Sequence, residues 1–107
     1  MTKLYKGLAN DFLYADPINI LLLGDNHDMD RLFMQLGQDT ALTKMALPYL
    51  LTIRGIPQLF YITEILIDNT GHHKNDGLIR SDFPGGWKED SVNAFTGNGL
   101  TAAQSSI

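Results

Sequence analysis

The residues best equipped for chemistry in this sequence form one short cluster at positions 25–31. Three carboxylates, an imidazole and a guanidinium occur there within seven residues, directly after an apolar run and Gly24. In parallel α/β folds, ligands bind where the carboxyl ends of the strands open into loops. The position of the cluster therefore indicates a binding or catalytic site, although an acidic cluster at a strand end, taken alone, is more often a solvated cap and turn.

A metal site is not predicted for this cluster. No register of its residues gives the alternating oxygen ligands followed by glycine that a calcium loop requires. Cysteine is absent, which excludes a disulfide framework, a zinc ribbon and a thiol nucleophile. The pair His72-His73 lies in a polar stretch and is predicted to be exposed. No metal and no cofactor is therefore expected.

Length and composition indicate one small unit over residues 1–107, with 44% hydrophobic and 19% charged residues. Eight Lys and Arg residues stand against twelve Asp and Glu residues, a net charge of −4 with no basic cluster, which argues against a nucleic-acid partner. The longest apolar run, residues 20–23, is too short to span a membrane, and the first residues lack a secretion signal. We expect a soluble chain, cytoplasmic by default, with its compartment unassigned.

Hydrophobic spacing predicts four elements around the cluster. A helix is expected over residues 2–14 and a strand, apolar enough to be buried on both faces, over residues 18–23. Asp39 can cap a helix that extends to residue 54, and residues 58–63 read as a second strand after Gly55-Ile56-Pro57 ends that helix. This order predicts a parallel βαβ unit with a right-handed crossover.

The rest of the chain is poorly periodic. A long loop rich in turn residues is predicted after Glu64, and Thr101-Ala102-Ala103-Gln104 has the spacing of a helix capping box. Two apolar parallel strands with so little cover make a poor independent fold. The chain is therefore expected to be part of something larger, or to assemble with copies of itself.

Several motifs in this order resemble the alpha-amylase superfamily, glycoside hydrolase family 13. The motifs are Asn26-His27-Asp28 after an apolar strand and, after a helix, Arg54-Gly55-Ile56-Pro57-Gln58-Leu59-Phe60-Tyr61-Ile62-Thr63-Glu64. Within that family, Arg80-Ser81-Asp82-Phe83-Pro84-Gly85-Gly86-Trp87 and Asn93-Ala94-Phe95-Thr96-Gly97 are similar to the neopullulanase and cyclomaltodextrinase branch.

The resemblance implies a partial (β/α)₈ barrel, a C-terminal piece of the catalytic domain. It covers nearly the whole chain and corresponds to the end of the sixth helix, the seventh and eighth strands with the helix between them, and the long loop that follows. The family's chemistry is retaining hydrolysis or transfer at α-glucosidic bonds. Its nucleophile and general acid would lie on earlier strands, so this chain is expected to be inactive alone.

By the same resemblance, Asp28 matches the third acid of the family, which binds sugar hydroxyls and stabilises the transition state. His27 matches the neighbouring imidazole that contacts the same sugar, and Asn26, Arg31 and Trp87 are the further substrate-binding candidates. Trp87 could stack on a sugar or pack its loop. Glu64 is structural in the family's pattern.

Three residues depart from the family's pattern. Gly24 stands where a bulky residue is usual, Ile62 stands where the family has glycine, and Pro48 falls inside the predicted second helix. An interior proline costs about 3 kcal/mol and kinks a helix. These departures are compatible with a fragment released from selection or with adaptation to a self-associated fold.

The sequence leaves three functions open. The first is a partial α-glucan hydrolase of the alpha-amylase family, acting on maltodextrin-type substrates. The second is a stand-alone βαβ binding or interaction module, most plausibly a homo-oligomer. The third is a carbohydrate-binding remnant that uses Asp28, His27 and Trp87.

Overall fold

Two short parallel strands with helices before, between and after them make up the fold. The structure is a computed structural model that describes residues 2–67 and 76–107. The helices are α1 Thr2–Ala9, α2 Leu32–Gln35, α3 Thr40–Thr52 and α4 Asp76–Ile79, and the strands are β1 Leu21–Leu23 and β2 Ile56–Gln58. The predicted exposure of His72 and His73 lies outside the described residues.

The strands pair in parallel, with Leu21 opposite Ile56 and Leu23 opposite Gln58, and α3 lies between them in the sequence. The predicted βαβ unit is thereby confirmed as a partial α/β arrangement, whereas a complete barrel stays a prediction. The predicted start of the first strand at residue 18 is wrong. Pro17–Asn19 forms a 3₁₀ turn instead, because the Asp16 side chain accepts a hydrogen bond from the Ile18 N–H.

The second strand begins earlier than predicted, at Ile56 instead of Gln58, and ends where it was expected to begin. Gly55 makes this possible because its φ of +119° turns the chain sharply, and the Ile56 N–H then donates to Ile20 O at 2.9 Å. A Cβ at Gly55 would lie 2.8 Å from that same carbonyl oxygen. Beyond Gln58, Ile62 adopts a left-handed φ of +68°, which ends any extended structure before the 3₁₀ turn Thr63–Ile65.

The predicted long helix after Asp39 is confirmed as α3. The Asp39 carboxylate accepts hydrogen bonds from Ala41 N at 2.8 Å and Leu42 N at 3.0 Å, so it caps the helix. Pro48 lies inside α3, and the helix continues through it to Thr52. Among the described residues, no helix has the length and apolar character needed to cross a membrane.

The first helix is shorter than predicted, since α1 ends at Ala9 and a separate 3₁₀ turn covers Asp11–Leu13. Arg54 explains the break. Its guanidinium pairs with the Asp11 carboxylate and donates to Leu8 O at 2.6 Å, so it occupies a carbonyl at the end of α1. The amino-terminal segment is thereby tied to the residues that follow α3.

The carboxyl-terminal segment confirms the predicted capping box. Thr101 N donates to Gln104 Oε1 at 2.9 Å, and Gln104 N donates to Thr101 Oγ1 at 3.2 Å. The turn that follows is a single 3₁₀ turn, Gln104–Ser106. The short helix α4 falls inside the stretch that was predicted to be loop throughout.

Burial is low for the apolar strands. The buried apolar residues in the described part of the chain are Leu32, Ile62, Leu66 and Ile79. Leu21 in β1 is 52% exposed, so burial of the strand on both faces is wrong for this chain alone. The accessible area of 7233 Å² exceeds the roughly 6,000 Å² expected for a chain of 11.9 kDa. The radius of gyration of 15.7 Å likewise exceeds about 13 Å.

Candidate functional site

The loop between β1 and α2 is anchored by a buried carboxylate. Asp25 is 1% exposed, and its Oδ2 accepts hydrogen bonds from Leu32 N at 2.9 Å and from Thr63 Oγ1 at 2.9 Å. These contacts join the start of α2 to the segment after β2. Asp25 therefore fixes the base of the loop and is not available to a ligand in this structure.

Arg31, at the other end of the cluster, is also fully buried. Its Nη1 donates to Tyr61 O at 2.6 Å, and its guanidinium carbon lies 4.3 Å from the centre of the Phe60 ring and 5.0 Å from that of Tyr61. Burial lowers the pKa of Arg31, while the nearby Asp25 carboxylate opposes that change. Substrate binding by Arg31 stays a prediction. The burial of its side chain does not favour contact with a substrate.

Between these two anchors, residues 26–28 form an exposed turn. Asn26 Oδ1 accepts a hydrogen bond from Asp28 N at 2.9 Å, which shapes the turn in the manner of an Asx turn. The side chains of His27 and Asp28 are 64% and 66% exposed, and His27 Nε2 lies 3.2 Å from Asp28 Oδ2. The structure thus brings together three predicted site residues, two of which face solvent while Asn26 holds the turn.

A fourth residue completes this group. Arg80 Nε donates to His27 O at 3.0 Å, and Arg80 Nη2 donates to Asp28 Oδ1 at 3.1 Å. Arg80 follows α4 and lies 52 positions after Asp28 in the sequence. Sequence reasoning assigned no role to Arg80, although it opens one of the quoted motifs, because no local spacing connects it to residues 26–28.

Gln35 further supports the loop by contacting backbone at two places. Its Nε2 donates to Gly24 O at 3.2 Å and to Asp30 O at 2.6 Å. Gly24 itself packs closely beneath α2, since a Cβ there would lie 3.2 Å from both Cδ atoms of Leu32. A bulky residue, as the family has at this position, would therefore require Leu32 to move.

Trp87 belongs to a separate turn. The N–H groups of Trp87 and Gly85 donate to Asp90 Oδ2 at 3.1 and 2.8 Å, and the Trp87 residue is 64% exposed. The hydrogen bonds that join residues 26–28 to Arg80 do not include it. Glu64 lies in the 3₁₀ turn Thr63–Ile65 and is exposed. Within residues 2–67 and 76–107, no three His, Asp or Glu side chains are placed to hold a metal ion.

The sequence of this chain is similar to those of curated cyclomaltodextrin glucanotransferases. One from Paenibacillus macerans is 39% identical over 82 residues, 76% of this chain and 11% of the relative, and a second from that organism is 43% identical over 61 residues, 57% and 8%. One from Geobacillus stearothermophilus is 40% identical over 68 residues, 64% and 9%. The matches support a relationship to glycoside hydrolase family 13, the alpha-amylase family.

These matches cover only a small part of each relative, which limits the functional conclusions that can be drawn from them. The chain spans about a tenth of the length of the curated relatives it matches. No protein-family model matches the chain. The α-glucan-processing family is supported, whereas the neopullulanase and cyclomaltodextrinase branch and the roles of individual residues stay predictions.

Proposed function

We propose that residues 26–28 form part of an α-glucan-binding site in an alpha-amylase-type protein, with Asp28 and His27 contacting the hydroxyl groups of one glucose unit. The observation that carries this proposal is the exposed pair of side chains that follows the carboxyl end of β1. The names of the relatives, which describe glucan transfer involving cyclomaltodextrin, support the same substrate class.

The geometry suits a polyhydroxylated ligand. The Asp28 carboxylate has one oxygen beside Arg80 and the other beside His27, yet the side chain is 66% exposed. A carboxylate accepts about four hydrogen bonds, so acceptor sites remain for sugar hydroxyls. Imidazole can donate to the same sugar. Trp87, on its separate turn, offers an indole face on which a further glucose unit could stack.

Binding without turnover is proposed for these 107 residues alone. Retaining hydrolysis needs two carboxyl groups about 5 to 5.5 Å apart that act as nucleophile and general acid. The resemblance assigns neither role to a residue of this chain. We propose that the activity of the family depends on residues outside this segment. The same residues would decide whether the chain belongs with maltodextrin hydrolases of the neopullulanase branch.

A calorimetric titration of the purified chain with maltoheptaose tests the proposal. We expect saturable binding that is weakened by Asp28→Asn, because the neutral amide loses charge-assisted acceptor capacity. The matched control is Asp16→Asn, since Asp16 lies at the opposite end of β1 and asparagine also caps turns well. Equal affinity for all three proteins would overturn the assignment of Asp28.

A reducing-sugar assay with maltodextrin, cyclodextrin and pullulan tests the absence of turnover. We expect no release above buffer. Release that follows the protein through purification and disappears in Asp28→Ala would show that the chain is a complete catalyst. Release that is unchanged by Asp28→Ala would indicate a contaminating enzyme.

A second function, a self-associating βαβ module, has one observation in its favour. An apolar cleft of about 230 Å³ lies between the β1 segment and α3, lined by residues that include Leu22, Tyr49 and Ile53. A second copy of the chain that covers this cleft would bury it. The concentration dependence of stability, described in the Discussion, tests this alternative.

A further inference from the structure

We propose that Arg80 is a positioning residue that holds the Asp28 carboxylate and the residue 26–28 turn in the orientation needed to bind an α-glucan. This inference rests on the function proposed above. It assigns a role to Arg80, which belongs to a quoted motif but received no role from the sequence.

The two hydrogen bonds that Arg80 donates to the residue 26–28 turn are complementary. Nε donates to the backbone carbonyl of His27 at 3.0 Å, while Nη2 donates to Asp28 Oδ1 at 3.1 Å. One therefore fixes the main chain of the turn and the other fixes a side-chain rotamer. With His27 Nε2 3.2 Å from Oδ2, both oxygens of Asp28 have a defined neighbour.

The guanidinium group is suited to this role. It is planar and presents Nε and one Nη along the same edge, so the distance between the two donated bonds is fixed by the group itself. The ammonium group of lysine is a compact point charge without that geometry. Arginine can thus fix the relation between a backbone oxygen and a carboxylate, which lysine cannot do as well.

Arg80 is itself held by its neighbours on both sides. Ile79, the last residue of α4, is 0% exposed and belongs to the buried apolar group. Ser81 O accepts a hydrogen bond from the Tyr61 hydroxyl at 2.9 Å, which ties this segment to the residues after β2. The guanidinium therefore extends from a fixed base toward an exposed turn.

The expected consequence is a loss of binding with little loss of stability. The Arg80 and Asp28 side chains are 44% and 66% exposed, and ion pairs in such positions contribute little to folding. Ordering a side chain before the ligand arrives, however, reduces the entropy lost on binding. A residue with a merely structural role would change the melting temperature and the affinity together.

The test compares Arg80→Ala and Arg80→Lys with wild type in maltoheptaose titrations, with Lys44→Ala on α3 as the control for loss of an exposed cation. We expect about a tenfold loss of affinity for Arg80→Ala, partial recovery for Arg80→Lys, and wild-type affinity for Lys44→Ala. The melting temperatures of all three variants should stay close to that of wild type. Added to Asp28→Asn, Arg80→Ala should weaken binding less than it does in wild type, because only its hydrogen bond to His27 O is then independent of the Asp28 carboxylate.

Amide relaxation measured by NMR without ligand provides an independent readout. Arg80→Ala should lower the order parameters of the His27 and Asp28 amides, while those of α3 stay unchanged. If Asp28→Asn weakens binding but Arg80→Ala does not, the positioning role is wrong and the proposed function stands. If neither variant weakens binding, both proposals are wrong.

Discussion

Two regions of this molecule invert the usual distribution of side chains. The interior beside the loop after β1 buries polar and charged groups, with Asp25, Arg31 and Thr63 all at 3% exposure or less. The surfaces around β1 and α3 expose apolar ones, including Leu21, Met45 and Tyr49. Because burial of apolar area is the main force in folding, a strand this apolar is suited to more cover than the chain provides.

The difference shows where the structural order of the chain lies. Asp25 and Arg31 join β1, α2 and the segment after β2 through hydrogen bonds and ring contacts, and they frame the exposed turn at residues 26–28. The apolar cleft beside α3, by contrast, is an open volume of about 230 Å³. The loop after β1 is thus preorganised by its own residues, while the cleft beside α3 is suited to an additional partner surface.

Asp25→Ala, in the buried polar region, should cause the largest loss of stability. It removes the acceptor for Leu32 N and for the Thr63 hydroxyl, and it leaves the buried Arg31 charge without that carboxylate nearby. Breaking such a buried arrangement costs about 3 to 5 kcal/mol. Urea denaturation followed by circular dichroism measures the loss.

Asp28→Ala is the matched control for Asp25→Ala, since both remove a carboxylate from the same loop. Asp28 is exposed, and its pairs with Arg80 and His27 should contribute about 1 kcal/mol at most. If Asp25→Ala is fully unfolded, loss of the helical signal records the result. Similar stabilities for the two variants would contradict the distinction between a buried anchor and an exposed turn.

The helix start and the capping box that the sequence predicted are governed by local interactions. Asp39 caps the helix that begins beside it, and Thr101 and Gln104 bond to each other across one turn. The limits of the second strand failed because they depend on backbone turns at Gly55 and Ile62, where tertiary contacts override a continuous apolar pattern.

The candidate site was predictable only in part, for the same reason. Within the polar cluster that follows the first strand, His27 and Asp28 were singled out by the resemblance of Asn26-His27-Asp28 to the alpha-amylase family. Arg80 could not be found, since its contact with Asp28 spans 52 positions, and the burial of Arg31 depends on aromatic residues 29 and 30 positions later. Composition could not distinguish the buried Asp25 from the exposed Asp28.

Pro48→Ala tests the α3 side of the comparison and should raise stability. Proline has no N–H to donate to the carbonyl of Lys44, and its ring crowds that carbonyl, yet α3 continues through it. Alanine should raise the free energy of unfolding by up to about 3 kcal/mol. Part of this gain is offset because the unfolded chain has more conformational entropy without the proline. Thermal unfolding measures the change.

Pro17→Ala is the control for Pro48→Ala. Pro17 begins a 3₁₀ turn, where its fixed φ is favourable and its missing N–H costs nothing. No gain in stability is expected from this variant. No gain for Pro48→Ala would show that the interior proline is not a source of strain in α3. An equal gain for both variants would show that the effect is not specific to the helix interior.

Association between copies of the chain is the next largest expected effect. If a second copy covers the cleft between the β1 segment and α3, the apparent stability of the assembly should rise by about 1.4 kcal/mol for each tenfold increase in concentration. Light scattering and melting curves over a range of concentrations measure it. A folded monomer with a constant melting temperature at low micromolar concentration would contradict self-association.

Two matched variants on α3 show which surface is involved. Tyr49→Glu places a charge in the cleft and should abolish the concentration dependence. Ala41→Glu adds the same charge on the first turn of α3, outside the cleft, where the helix favours an acid. If both variants abolish association, net charge and not the cleft controls it.

The smallest expected effect concerns Ile62, where the buried region holds a strained residue. Ile62 is 0% exposed and has a φ of +68°, a conformation that β-branched residues rarely adopt. The alpha-amylase family, which this chain resembles, has glycine at this position. The side chain stabilises the interior while the backbone opposes it, so a single substitution would confound the two contributions.

Comparing Ile62→Gly with Ile62→Ala separates them, because both variants remove the buried side chain and differ only in backbone preference. In the left-handed conformation Ile62→Gly should be more stable than Ile62→Ala by about 1 kcal/mol. Ile79, equally buried but helical, gives the reverse order as a control, with Ile79→Gly less stable than Ile79→Ala by a similar amount. If urea denaturation shows Ile62→Ala to be as stable as Ile62→Gly or more stable, Ile62 carries no left-handed strain.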